Sequence, residues 1–167
     1  MTPEIPSIWR EEVWHALSVH LPIATLLLSS VAAIIILAAK NKSYHLFVEK
    51  MVYVMLTIGV LSGWIAIYTG ELAYSIEVRK ICDPKVLQEH QWWAYTTLIV
   101  YSVALILKVL PKFIATNSSS IIKLIGVYLL IFAVFGLLYT GHLGATLVYQ
   151  QGAGTYKPSV DCSEFVK

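Results

Sequence analysis

The sequence is poor in charge. Of its 167 residues only 13% are Asp, Glu, Lys or Arg, against about 25% in an ordinary soluble domain. The net charge is +2, and no basic run carries interleaved aromatics, which excludes nucleic acid as a partner. Cysteine is scarce too. Cys82 and Cys162 form neither CxxC nor CxxCH, which excludes a thioredoxin-like motif, a zinc ribbon and a covalently attached c-type haem. No basic n-region leads directly into the first apolar run and no A-x-A-like site follows it, so that run reads as a retained helix rather than a cleaved signal. There is no nucleophile elbow or comparable frame for hydrolysis. No repeat, low-complexity tract or soluble domain stands beside the apolar segments.

What is present is hydrophobic: 57% of the residues, with a mean hydropathy of +0.71. A bilayer crossing takes about 20 apolar residues at 1.5 Å rise each. Four stretches meet that length, at 21–39, 51–70, 92–110 and 124–143. The expectation is an all-α, integral membrane four-helix up-down bundle, one domain over 1–167, in contact with lipid. Pro22 opens the first stretch, so Trp14 to His20 is either that helix continued through a kink or a separate interfacial segment. The third ends at Pro111, with Lys108 snorkelling. Gly59 and Gly63 are spaced for close helix approach, and Gly141 and Gly144 lie at the end of the fourth.

Four crossings bring both termini to one side, together with the polar pieces Glu71–Glu89 and Gly152–Lys167. Basic residues tie at six on each side, so the positive-inside rule decides little. The opposite side carries one acid, Glu49, against nine on the terminal side. Its compact loops are read as cytoplasmic, which puts both termini in the periplasm of a bacterial inner (plasma) membrane. All five tryptophans (Trp9, Trp14, Trp64, Trp92, Trp93) fall near the outer boundary, as an interfacial belt would. Cys82 and Cys162 share that side, so a disulfide between them is expected.

The histidines converge. His15, His20, His90 and His142 all fall at outer helix ends, while His45 lies in an inner loop. Ionisable groups at membrane depth are functional candidates by default, and neutral imidazole is a usual ligand of metals and of haem iron. His15 and His20 are five residues apart, about 140° around an ideal helix, and cannot both face one small ion unless Pro22 breaks the helix. Facing histidines with glycines that make room for a flat ligand suit b-type haem, a common guest of bundle cores. His20, His90 and His142 lead as ligands, with His15 a fourth ligand or a supporting hydrogen-bonding group. Four ligands could serve two haems.

The segment Trp14-His-Ala-Leu-Ser-Val-His-Leu-Pro-Ile-Ala resembles the opening, roughly HPLLVHFPIALLLL, of an uncharacterised family of bacterial four-helix membrane domains. Gly141-His-Leu-Gly-Ala-Thr-Leu-Val-Tyr-Gln-Gln-Gly-Ala-Gly resembles its closing motif, GHLGGxLVYxxGxG, and His90 matches its third-helix histidine. Ala16 replaces the usual proline and Ala145 a usual glycine. The resemblance implies the fold and the same four histidines. Relatives fused to cytochrome c-like domains imply a redox setting.

The expected function is therefore a membrane cytochrome b-like subunit. It would pass electrons between a quinol or periplasmic cytochrome and another membrane subunit, as a non-catalytic part of a redox complex. The alternatives are a cofactor-free structural anchor or assembly subunit, and copper or iron handling at the outer face. The three methionines, Met1, Met51 and Met55, do not cluster near the outer histidines, which counts against copper(I).

Overall fold

A computed structural model describes residues 5–38, 42–112, 119–157 and 160. Among them every regular element is helical: α1 (Glu11–Ser18), α2 (His20–Ala38), α3 (His45–Glu77), α4 (Pro84–Val109) and α5 (Ser119–Tyr149), with a short 3-10 turn at Leu110–Lys112. Four spans are long and apolar enough to cross a membrane, with α1 and α2 together forming the first.

The break between α1 and α2 is a kink at Val19, not a separate interfacial segment. Backbone bonds run through it, from Val19 N to His15 O (3.2 Å) and from Ile23 N to Val19 O (3.1 Å). Pro22 supplies no N–H to Ser18 O, which loosens the turn without ending the helix. At the other bundle end, Pro111 closes α4 as expected. Asp83 caps the start of α4 by accepting from Lys85 N, with Pro84 at the first helical position.

The helices outrun their apolar stretches at the end of the bundle that holds the turn between α3 and α4. Glu71–Glu89, expected as a polar loop, is helical except for the turn 78–83. Each crossing packs on two neighbours: the first on α3 and α5, and α4 on the same two. The first crossing and α4 are therefore diagonal to one another, as are α3 and α5.

The core explains this closure. Leu26, Val52, Leu56, Leu98, Tyr101 and Leu130 are buried together along the bundle axis. Small residues set the spacing. A Cβ on Gly59 would stand 2.6 Å from Leu26 Cδ2, and one on Gly63 2.6 Å from Leu98 Cδ1. Both glycines allow the close approach expected of them. Gly141 does not serve that role, since a Cβ there meets nothing within 4 Å. In lipid such packing replaces the hydrophobic drive that water would provide. Buried hydroxyls of α2 bond to their own helix, as Ser29 and Ser30 do to Leu26 O at 2.8 and 3.1 Å. Ser30 also bonds Tyr101 Oη across the core at 2.9 Å. The outward faces carry exposed Ile34, Leu61, Ile106 and Phe132, as lipid-facing surfaces do.

Helix α5 ends in a left-handed glycine cap of the αL type. Gly152 takes φ +71°, Ala153 N donates to Leu147 O at 2.9 Å and Gly152 N to Val148 O at 3.2 Å. Leu147 and Ala153 pack together beneath it. Gly152 is thus the helix C-cap that its sequence position suggests.

Candidate functional site

The kink at Val19 separates the two histidines of the first crossing. His15 turns inward against α3, while His20 stays exposed, with Nδ1 only 3.4 Å from Leu17 O of its own chain segment. His90 of α4 turns inward against α5, and His142 of α5 is exposed beside Tyr139, ring centroids 6.4 Å apart. The structure thus brings His15 and His90 together and leaves His20 and His142 outside that pair.

Each inward ring is held the same way. His15 Nδ1 lies 3.0 Å from Ala66 O, and His90 Nδ1 lies 3.0 Å from Thr140 O. A ring nitrogen facing a carbonyl must carry the proton and donate it. In the neutral ring this leaves Nε2 as the lone-pair nitrogen. Four residues past each carbonyl stands a glycine, Gly70 and Gly144. A Cβ on Gly70 would lie 3.0 Å from His15 Cε1, and one on Gly144 would lie 3.3 Å from His90 Cε1. The missing side chain opens the flank of the helix, so a carbonyl already in the helical ladder can accept a second bond. The module of histidine, carbonyl and glycine occurs twice, on opposite corners of the bundle.

The two rings meet edge-on, with centroids 6.3 Å apart and planes at 80°, and both are half-buried. Two imidazoles on opposite sides of one metal atom, each bound at about 2 Å, put their centroids about 6 Å apart. An Nδ1–H donated to a carbonyl is the usual support for a ligating histidine, because it fixes the tautomer and raises the basicity of Nε2. No group of three or more His, Cys, Asp or Glu placed to hold a metal ion occurs among the described residues. The pair thus offers two imidazoles, with no third His, Cys, Asp or Glu grouped with them among the described residues.

Around this pair lie polar contacts between adjacent helices. Tyr95 Oη and Gln91 Nε2 both donate to Glu71 Oε1, at 3.0 and 2.6 Å. Tyr139 Oη donates to Glu89 Oε1 at 2.9 Å. Trp93 stacks edge-on against Tyr139 with centroids 5.0 Å apart. Cys82 is exposed in the turn between α3 and α4, and Cys162 lies outside the described residues.

Residues 13–157 match the family model described as a predicted membrane protein, DUF2231. The chain belongs to the DUF2231 family. The matched stretch takes in both histidine modules and the four apolar stretches, and extends through the glycine cap of α5. No curated protein and no solved structure matches this DUF2231 chain.

Gly70 and the Ala66 and Thr140 carbonyls were not singled out from sequence. The available signal was the matched spacing of Ala66 to Gly70 and Thr140 to Gly144, small residues at the level of the histidines.

Proposed function

We propose that this protein is a b-type cytochrome subunit of the bacterial inner membrane, holding one haem near the outer face between His15 and His90. The observation that carries this reading is the paired geometry: two imidazoles 6.3 Å apart, each with Nδ1 committed to a backbone carbonyl. The donor set fits the group, since porphyrin supplies four nitrogens and the protein need supply only two. The haem, when bound, supplies the one-electron redox step. The chain fixes the imidazole tautomers and orients both rings, half-buried between the helices. One haem is favoured over two because His20 and His142 stand exposed outside the pair. Electrons would pass between a quinol or periplasmic cytochrome and a partner subunit. The resemblance to domains fused with cytochrome c-like modules supports that setting, and the acid-poor inner loops support outer termini.

The test is a reduced-minus-oxidised spectrum and a pyridine haemochrome assay on protein purified with its native membrane partners. The expected result is a sharp b-type α-band that His15→Ala and His90→Ala abolish and that His20→Ala and His142→Ala retain. A flat wild-type spectrum overturns the reading. It would favour the cofactor-free anchor, which the close packing at Gly59 and Gly63 also suits.

A further inference from the structure

At the outer end of the bundle a cavity of about 320 Å³ opens between three chain segments. Its charged lining is Arg10 and Glu12 at the start of α1, Glu77 and Lys80 at the end of α3, and Lys157 beyond α5. Glu77 is buried, and both its oxygens are used: Oε1 accepts from Lys80 Nζ at 3.0 Å and Oε2 from Gly154 N at 2.9 Å. Glu12 Oε1 lies 3.6 Å from Lys80 Nζ and 3.5 Å from Arg10 Nε. The second of these is an ion pair rather than a hydrogen bond, for Arg10 Nε is buried with no hydrogen-bond partner among the described residues. Arg10 also donates through Nη2 to Gly154 O at 2.8 Å. Three cations thus face two carboxylates, leaving one positive charge in surplus. The hydrogen bond and charge of Glu77, with the charge of Glu12, hold the Lys80 ammonium above the ordinary lysine pKa, so Lys80 stays charged at neutral pH.

The cavity lies beyond the histidine pair, where the start of the first crossing, the end of α3 and the chain after α5 meet. Glu77 follows Gly70 by seven residues and Gln151, also in the lining, follows Gly144 by seven. At 1.5 Å per residue, both sit about 10 Å outward of the glycines that seat the rings. His15 and His90 would hold a haem from the first crossing and α4, and its carboxylates would then be free to reach the end of the bundle where the cavity opens. We infer that the cavity binds one carboxylate of the haem, matched to its single surplus positive charge and held by Lys157 with Arg10. A second carboxylate finds no further charge there and stays in water. This rests on the haem reading above.

The test is a redox titration across pH of the haem-loaded protein, comparing wild type, Lys157→Gln and Lys85→Gln. Lys85 is exposed on the same side but outside the cavity lining, so its loss makes the same charge change elsewhere. Removing a cation beside the haem favours the ferric form. Lys157→Gln is expected to lower the midpoint potential and move its pH-dependent inflection upward, while Lys85→Gln leaves both in place. As a second readout, apo-protein titrated with haem and with haem dimethyl ester is expected to prefer the free acid in wild type and to lose that preference in Lys157→Gln. Equal behaviour of the two lysine variants, or an unchanged preference for the free acid, overturns the carboxylate site while the haem reading stands. A wild type that binds no haem overturns both.

Discussion

His15 and His90 face each other across a diagonal of the bundle, and each is seated by a glycine of a helix that carries neither. The ring of His15 lies where a side chain on Gly70 would be, and the ring of His90 where one on Gly144 would be. The two seats come from different helix pairs with the same spacing of carbonyl and glycine, so the pair is set by backbone and does not depend on side-chain partners.

That arrangement makes the glycines separable by stability. Replacing a mid-helix glycine by alanine ordinarily stabilises by up to about 1 kcal/mol. Gly141→Ala, where a Cβ meets nothing within 4 Å, should raise the melting temperature in detergent. At Gly144 the added methyl lies 3.3 Å from His90 Cε1, and the two effects should nearly cancel. Gly70→Ala places it 3.0 Å from His15 Cε1 and 3.1 Å from Nδ1, so the ring must shift and the melting temperature should fall. Gly70→Ala as stable as Gly141→Ala would count against the packing of His15 on α3.

A second contrast lies deeper in the core. Tyr101 is fully buried and shares a hydrogen bond with Ser30. Tyr101→Phe should destabilise by about 1 kcal/mol, the usual size for such bonds in and out of membranes. Thr97 Oγ1 is buried with no hydrogen-bond partner among the described residues. Thr97→Val keeps the shape and removes a polar atom that gains nothing, so it should be neutral or stabilising. Thermal melts of the two variants in one detergent give the comparison, and a Thr97→Val loss equal to that of Tyr101→Phe would show a hidden partner.

The fold is legible because its signal is one-dimensional: apolar run length, with Pro22 and Pro111 as punctuation. The reach of α3 to Glu77 and of α4 back to Pro84 was not, since amphiphilic helix outside the bilayer carries no run of apolar residues. The site was legible at the level of depth. Four histidines at one end of the bundle stand out, but which of His15 and His20 turns inward depends on the twist at Val19, and a kink alters facing without leaving a mark in the spacing. Nor does sequence show a backbone carbonyl as a partner. That is why His15, ranked behind His20 and His142, is the one placed opposite His90.

The chain after α5 should be tied down by one carboxylate. Glu77 accepts both Lys80 and the Gly154 amide, and Arg10 holds the Gly154 carbonyl. Glu77→Ala should therefore speed hydrogen exchange at the Gly154 amide by tenfold or more, equivalent to the roughly 1.5–3 kcal/mol of a bond to a charged group. Exchange at Gly152, whose amide bonds to Val148 O within the cap, should change less. Uniform acceleration across both amides would mean that the whole cap had come loose rather than the tail alone.

Orientation can be read from Cys82. Basic residues divide six and six between the two sides, so the usual charge signal is balanced, and the argument for outer termini rests on nine acids against one. Acids weigh little in insertion, so accessibility of Cys82 is the deciding measurement. Cys82 is exposed in the turn between α3 and α4, on the same side as the histidine pair and the cavity. A Cys162→Ser variant leaves it the single thiol. A small, membrane-impermeant maleimide that passes outer-membrane pores should then label it in intact cells, at a rate that lysis does not change. Labelling that requires lysis would place the His15–His90 pair at the cytoplasmic face. A haem there would exchange electrons with cytoplasmic donors, and the acid-poor loops would be the ones outside.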